Sequence, residues 1–348
     1  MKEFVPHGML RNPHAMTIAA SFWPRTVPKL SKSVSRLFDT EPGTRVRGEC
    51  HWQLNPREHP TLVLLHGLEG SCDSSYMRGT GEKAWVAGFN VLRLNQRNCG
   101  GTEQLTSTLY HSGLSCDIHA VVHELIDRDG LPEIFAAGFS MGGNLVLKMA
   151  GEMAARAPAE LCAVVAVNPA LDLASCADAL SAPKNVLYEH HFVTRLKRRM
   201  RYKASLYPEL YPLQGNAEFR RIRSVRNFDD VVTARFCSFE DANDYYAKSS
   251  ALRLASEIRV PALIITAKDD PFVPFGPFQS PPIQDNPSIA LIATEHGGHC
   301  AFISRENGSE RFWAEARIVE FCIHRSHLGR SRESWKVNAL VAREESAR

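Results

Sequence analysis

EIFAAGFSMGGNLVLKMA, residues 133–150 of the 348-residue chain, predicts a buried strand, a very tight turn and a helix. Its first apolar residues do not alternate with polar ones, as expected for a strand covered on both faces of a parallel sheet. Gly138, Ser140 and Gly142 then form G-x-S-x-G, and apolar residues recur at helical spacing after it. A serine at such a turn has strained backbone, and its neighbours must lack side chains so that strand and helix can approach. The stretch is therefore typical of a nucleophile elbow.

The alternative interpretation of this stretch is a glycine-rich strand-to-helix turn with an incidental serine. Its context favours the elbow, because an acid and a histidine follow later in the chain, in the order that the elbow pattern requires. Phosphate-binding turns are disfavoured, since neither G-x-x-x-x-G-K-[ST] nor G-x-G-x-x-G occurs anywhere.

Further strands and helices are predicted around the elbow. Strands are expected at 45–54, 61–65, 90–94, 161–167, 260–267 and 289–294, and helices at 77–87, 116–128 and 310–322. Strands alternating with helices predict an α/β fold with a mostly parallel, doubly wound sheet. A segment rich in Arg, Lys, Tyr and Phe has no good strand and predicts a helical cap insertion. The expected organisation is an N-terminal arm (1–44), a first core part (45–171), the cap (172–257), a second core part (258–324) and a polar tail (325–348).

The acid and the histidine follow the last two predicted strands. Asp269 and Asp270 stand at the carboxyl end of one strand, the edge at which open α/β sheets place their sites, and His299 follows the next. A neutral imidazole can take the proton of a serine near pH 7, and a carboxylate can fix its tautomer. Either aspartate could serve, and Asp270 is preferred because it precedes Pro274 by four positions. Taken singly, each of these residues also has a structural explanation. Asp269 and Asp270 could lie in a solvated turn at the strand end, and His299 could be a histidine packed in a loop.

Composition and charge narrow the function classes. A formal net charge of +3 is small for this length and gives no reason to expect a nucleic-acid partner. Nine cysteines without a C-x-x-C pair suit reduced thiols in the cytosol. The N-terminus lacks an uninterrupted apolar region, and no run of 18 apolar residues occurs, so no signal peptide or transmembrane helix is expected. The predicted location is the cytoplasm.

Six motifs together resemble those of the YheT-like branch of the α/β hydrolases: HGLEG (66–70), RNCGGTE (97–103), YHSG (110–113), GFSMGGN (138–144), AKDDPFVP (267–274) and EHGGH (295–299). RNPHAMTI (11–18) is similar to the N-terminal segment of that group. The resemblance implies the α/β-hydrolase fold and a serine esterase acting on carboxylic esters, and some animal relatives act on phospholipids or acylglycerols.

The resemblance also implies site residues and a mechanism. Ser140, one of the two aspartates and His299 would form the charge relay, with acyl transfer through a serine ester. The backbone N–H groups of Met141 and Leu68 would hold the oxyanion. The expected substrate is a small-molecule ester, which could be a lipid, and no metal or organic cofactor is needed. The same residues would also serve an acyltransferase or a thioesterase, and a non-catalytic module that binds a lipid or a partner stays open.

Other titratable residues have weaker functional interpretations. His119 and His123 are four residues apart, a spacing that can bind zinc, but the glutamate of an HExxH motif is missing between them. A common position on one face of a helix explains the two histidines better. Cys300 has no base of its own and is expected to be a small buried residue. The basic run 195–203 predicts a solvated helix face, although it could also attract an anionic lipid or substrate and support peripheral membrane contact. Three residues could shape the rim or support the triad: Glu69, Asp117 and His296.

Overall fold

An eight-stranded sheet forms the centre of the computed structural model, which describes residues 2–30, 32–213 and 217–329. Its strands are β1 (Val34–Glu41), β2 (Thr44–His51), β3 (Thr61–Leu65), β4 (Asn90–Leu94), β5 (Ile134–Phe139), β6 (Leu161–Val167), β7 (Ala262–Ala267) and β8 (Ile289–Thr294). They lie in the order β1-β2-β4-β3-β5-β6-β7-β8. The β1–β2 and β2–β4 pairs are antiparallel and all the others are parallel, which confirms the predicted α/β-hydrolase fold class.

Helices cover both faces of this sheet. They are α1 (Pro13–Phe22), α2 (Ser75–Val86), α3 (Ser115–Asp127), α4 (Met141–Met153), α5 (Leu173–Leu180), α6 (Val186–Leu206), α7 (Ala217–Arg221), α8 (Val225–Phe228), α9 (Ala242–Ser249), α10 (Pro281–Gln284) and α11 (Trp313–Arg325). None of the helices in the described ranges is both long and apolar enough to cross a bilayer.

The sheet has a hydrophobic core on each face. Val63 and Leu65 of β3 pack in the cluster that includes α3 and α4, whereas Leu62 and Leu64 pack in the cluster that includes α1, α2 and α11. Successive side chains of a strand point to opposite faces, so a strand covered on both sides needs an unbroken apolar run. This requirement explains why such runs located the inner parallel strands in the sequence.

The N-terminal segment, which was predicted to be an arm, contains a helix and a strand. Strand β1 lies inside the segment predicted as an arm and forms the edge of the sheet. Phe38 is its one fully buried residue, and such a mostly polar edge strand lacks the apolar run by which the inner strands were found. Arg25 ties the segment after α1 to the body, because its Nε lies 2.8 Å from a carboxylate oxygen of Glu315 in α11.

The segment predicted as a cap is helical in its described part. Helices α5 to α9 lie here, a π-helical turn at Asp229–Ala234 follows α8, and the described residues of 172–257 include no strand. The polar tail predicted from residue 325 lies outside the described residues after position 329.

Candidate active site

The predicted catalytic residues come together at the carboxyl edge of the sheet. Ser140 follows β5, Asp270 follows β7 and His299 lies in the loop after β8. The strand ends of an open α/β sheet meet at one edge, so residues far apart in sequence become neighbours there. His299 is 159 residues from Ser140 and 29 from Asp270, yet its ring lies between the two side chains.

The turn at Ser140 has the strained backbone that the sequence predicts. Ser140 has φ 54° and ψ −118°, outside the regions that ordinary residues favour. A Cβ at Gly138 would lie 2.1 Å from the carbonyl oxygen of Gly142, and one at Gly142 would lie 2.5 Å from that of His66. These contacts are with backbone atoms, which cannot rotate away. The two glycines therefore allow β3, the turn and α4 to approach each other.

The ring of His299 makes one hydrogen bond with each partner. Its Nε2 lies 3.0 Å from Ser140 Oγ, and its Nδ1 lies 2.8 Å from Asp270 Oδ2. An ionised carboxylate can only accept, so the ring carries a proton on Nδ1. Nε2 is then the acceptor for the hydroxyl proton of Ser140. This is the tautomer that a general base at this position requires.

Asp270 is held by several donors. Its side chain is fully buried, and Oδ1 accepts hydrogen bonds from the backbone N–H groups of Phe272 (2.8 Å) and Val273 (3.1 Å). Oδ2 accepts from His299 and from the side-chain amide of Asn168. With every donor in place, the carboxylate has one orientation relative to the imidazole.

The neighbouring aspartate has other partners. Asp269 Oδ2 lies 3.2 Å from Nδ1 of His296, and Oδ1 accepts from the backbone N–H of Gly298 at 2.9 Å. Asp269 therefore holds the loop that carries His299, while Asp270 holds the ring itself. Of the two aspartates, only Asp270 hydrogen-bonds to the ring of His299.

Two residues that the sequence analysis did not select support this arrangement. Asn168, directly after β6, donates to Asp270 and, at 3.0 Å, to the carbonyl of Gly298. The hydroxyl of Thr17 in α1 accepts the backbone N–H of His299 at 2.9 Å. Because Asn168 directly follows a predicted strand, its position in the sequence could have indicated that it lies at the site. Thr17 lies within RNPHAMTI, but nothing in the composition of that motif indicates the contact.

The backbone N–H groups predicted to hold an oxyanion lie beside the serine. Met141 begins α4, Leu68 follows β3, and both residues line the same cavity as Ser140. Among the described residues, neither N–H donates a hydrogen bond to another group of the protein. A Cβ at Gly67 would lie 3.2 Å from Ser140 Cβ, so the segment that carries Leu68 is in close contact with the elbow.

Ser140 lies where two cavities meet. One, of about 140 Å³, is mostly apolar, and more than half of its lining residues come from 172–257. Its apolar lining includes Leu109, Leu173, Leu180, Phe192, Val225 and Phe228. The second, of about 650 Å³, has a more polar lining between α1, the HGLEG loop and α6. Ser140 and His299 line both, so a bound molecule can extend in two directions from the hydroxyl.

The basic run 195–203 is a solvated helix face only in part, because Arg198 and Arg201 are exposed whereas its other basic residues are buried or half-buried. Lys203 is 1% exposed, and its Nζ donates to Asn98 Oδ1 at 2.7 Å and to the carbonyls of Glu103 and Thr106. Lys197 is also buried and donates to two backbone carbonyls of the segment predicted as a cap. Three of the run's members are directed at residues outside the segment predicted as a cap: Arg195, Arg199 and Lys203. Their partners are remote in sequence, which periodicity cannot detect.

The other titratable candidates have structural partners. Burial raises the pKa of the Cys300 thiol well above its usual value, so it is not a thiolate nucleophile. Asp117 forms an ion pair with Arg97. His119 and His123 lie side by side on α3, with ring centroids 4.5 Å apart. The described part of the chain contains no group of three or more His, Cys, Asp or Glu residues suited to a metal ion.

Comparison with known proteins identifies the class. The family model for the alpha/beta hydrolase fold matches residues 60–306, so the chain belongs to that family. Within the family it belongs to the YheT-like branch. It is 31% identical over 322 residues to YheT of Escherichia coli (strain K12), whose name provisionally calls it an esterase, and the match covers 92% of each chain.

More distant relatives carry names of ester-cleaving enzymes. Medium-chain fatty acid ethyl ester synthase/esterase 2 of Saccharomyces cerevisiae is 29% identical over 77% of this chain and 63% of its own length. Phospholipase ABHD3 of Mus musculus is 28% identical over 70% and 58%. The solved Pyrococcus furiosus esterase Pf2001 superposes with a TM-score of 0.54 at 20% identity, over 87% of this chain and 96% of that one, which shows the shared fold. The chain is thus an α/β hydrolase of the esterase and lipase type.

Proposed function

We propose that the protein hydrolyses carboxylic esters through an acyl-serine intermediate, with Ser140, His299 and Asp270 as its catalytic triad. The observation that carries this proposal is the continuous chain of hydrogen bonds from Asp270 through His299 to Ser140 Oγ, with bonds of 2.8 and 3.0 Å. The names of the relatives support the same reaction class.

The proposed mechanism has two acyl-transfer steps. Ser140 Oγ attacks the ester carbonyl carbon while His299 Nε2 takes the hydroxyl proton, and the negative charge develops on the carbonyl oxygen. The N–H groups of Met141 and Leu68 are the proposed donors to that oxygen. His299 then protonates the leaving alcohol. Water, deprotonated by the same nitrogen, attacks the acyl-serine and releases the acid.

The two cavities suggest where each half of the ester binds. The apolar cavity suits an acyl chain, since burying a methylene from water contributes about 0.8 kcal/mol. The second cavity has a more polar lining, which includes Arg195 and His191 of α6, and suits the alcohol half. We therefore propose substrates with an apolar acyl group and a polar alcohol, a description that includes lipid esters.

A reducing compartment such as the cytoplasm is the proposed location. All nine cysteines are free, and burial raises the pKa of eight of them above the usual value of a thiol. Free thiols in this number are typical of proteins that remain in reducing compartments.

The test combines a reactivity probe with a substrate series. Wild-type protein should be labelled by a fluorophosphonate and should hydrolyse p-nitrophenyl esters, with kcat/KM changing as the acyl chain grows from acetate to decanoate. Ser140→Ala should lose both activities while keeping its circular dichroism spectrum and melting temperature. Ester turnover that survives in Ser140→Ala, with contaminating esterase removed, would refute the proposal.

A further inference from the structure

The loop after β3 fixes the direction of one proposed oxyanion donor. The carbonyl oxygen of Gly67 lies 2.8 Å from Nδ1 of His66 and accepts the N–H of Gly70 at 3.0 Å. The other ring nitrogen of His66 accepts the backbone N–H of Gln96, so the ring proton is on Nδ1 and donates to Gly67. Burial lowers the pKa of His66 to about 4, which keeps the ring neutral. Because a trans peptide is planar, fixing this carbonyl also fixes the N–H of Leu68 on its opposite side.

The hydrogen bond from Gly70 depends on an unusual backbone at Glu69. Residues 67–70 form a turn closed by that bond, and Glu69 has φ 57°, in the left-handed region. A residue with a Cβ is disfavoured there by about five- to thirtyfold, whereas glycine is not. Something must therefore hold Glu69 in place.

The side chain of Glu69 is anchored on several sides. It is 7% exposed, and its Oε1 accepts from the hydroxyl of Tyr110 at 2.6 Å and from Nε of Arg199 at 2.9 Å. Its Oε2 accepts from Nη2 of Arg199 at 3.1 Å. Arg195 adds a bond from Nη2 to the carbonyl oxygen of Glu69 at 2.9 Å. Two of these three partners belong to α6, in the segment predicted as a cap.

We propose that Glu69 is a positioning residue, and that Arg199 of α6 and Tyr110 hold it in the left-handed conformation that aims the N–H of Leu68 at the oxyanion. The contacts of the Glu69 side chain with Arg199 and Tyr110, which we call the clamp, make the oxyanion site depend on the placement of α6. A merely structural ion pair would change stability alone. The clamp should change the rate of the chemical step, because its effect on Leu68 matters only when charge develops on the carbonyl oxygen. The inference rests on the proposed function through the role of Leu68.

Two double variants isolate the backbone effect. Glu69→Gly with Arg199→Met and Glu69→Ala with Arg199→Met both remove the two partners of this ion pair together, so neither the Glu69 carboxylate nor the Arg199 guanidinium is left buried without the other. They differ by one methyl group at a left-handed position. The glycine form can adopt the turn without these contacts, whereas the alanine form adopts it about five- to thirtyfold less readily. We expect kcat for p-nitrophenyl butyrate to be about five- to thirtyfold lower in the alanine form, with KM within about twofold.

The rate of phosphonylation of Ser140 by a fluorophosphonate separates this inference from the proposed function. The reagent also develops negative charge on an oxygen, so its rate should fall by the same factor from the glycine to the alanine form. If the wild-type protein is labelled but hydrolyses no ester, the proposed function is contradicted. The clamp would still be supported by the ratio of the labelling rates of the glycine and alanine forms. Equal labelling rates in the two forms, or a difference carried by KM alone, would overturn the clamp.

Matched controls address strain and folding. Asn55 also has a left-handed backbone, with φ 55°, and lies outside both cavities, so Asn55→Ala and Asn55→Gly should have equal labelling rates. Lys197→Met removes a buried cation of α6 that does not contact Glu69, and should lower the melting temperature with the labelling rate kept. If a double variant does not fold, Tyr110→Phe gives the same test. It removes one donor to Glu69 and should slow labelling about two- to tenfold, and an unchanged rate would overturn the clamp.

Discussion

Replacing each of the two adjacent aspartates by asparagine should give very different enzymes. In Asp270→Asn the side chain keeps its shape but gains an NH₂ group where two carboxylate oxygens each accept two hydrogen bonds. Turned toward Phe272 and Val273, the NH₂ group faces two backbone donors. Turned toward His299, it faces one donor, the side-chain amide of Asn168, and requires Nδ1 to accept. The ring proton then moves to Nε2, and the ring can no longer take a proton from Ser140.

The expected loss of kcat in Asp270→Asn depends on which orientation of the asparagine side chain has the lower free energy. Burying two unsatisfied backbone donors costs roughly 1–3 kcal/mol each, so the orientation that converts His299 to the wrong tautomer should dominate. An enzyme in that tautomer loses about 10³- to 10⁴-fold in kcat. Asp269→Asn differs, because its remaining oxygen can still accept from Gly298 and its NH₂ group can donate to a neutral His296. We expect this variant to retain kcat within about tenfold.

The assay is steady-state hydrolysis of p-nitrophenyl butyrate by both variants and the wild type, with melting temperatures measured in parallel. Fluorophosphonate labelling should be slow in Asp270→Asn and nearly normal in Asp269→Asn. The reasoning fails if Asp269→Asn loses more kcat than Asp270→Asn while both remain folded, since the acid would then be the residue that does not contact the ring.

Four further predictions concern the surroundings of the triad. Asn168→Ala removes one donor to Asp270 and should lower kcat about ten- to a hundredfold with a smaller change in KM, measured by the same assay. Gly142→Ala places a Cβ 2.5 Å from two backbone carbonyl oxygens and should lower the free energy of unfolding by about 1–3 kcal/mol or more, measured in urea. Ala177→Leu fills part of the apolar cavity and should lower the ratio of kcat/KM for octanoate to that for acetate. Burial raises the pKa of Asp229 to about 6, so the folded protein keeps a proton that the unfolded chain releases near pH 4. Stability should therefore fall as the pH rises from about 4 to 6, by up to about 3 kcal/mol, and Asp229→Asn should remove that part of the slope in urea unfolding across this range.

The parallel strands could be predicted from sequence because burial on both faces leaves a local trace. The runs at 61–65, 90–94 and 161–167 coincide with the buried strands β3, β4 and β6. The run at 289–294 coincides with β8, an apolar strand at the other edge of the sheet that is only partly buried. The edge strand β1 has a single buried residue and a mostly polar sequence, so it was assigned to an arm. The same reasoning applies to the candidate site. Ser140, Asp270 and His299 each follow a strand of the central sheet, and the sheet brings them together once the strand order is set.

The groups that orient those residues could not be predicted, because the partners of each lie elsewhere in the chain. Arg199 lies 130 residues from Glu69, and the basic run around it resembles a solvated face until the opposite surface is known. Thr17 holds the backbone of His299 from 282 residues away. A reactive group must be reachable from a strand end, whereas an orienting group can come from any segment that packs nearby. Sequence patterns therefore indicate which atoms could react, and the packing of α1 and α6 against the sheet edge determines whether those atoms are aligned to do so.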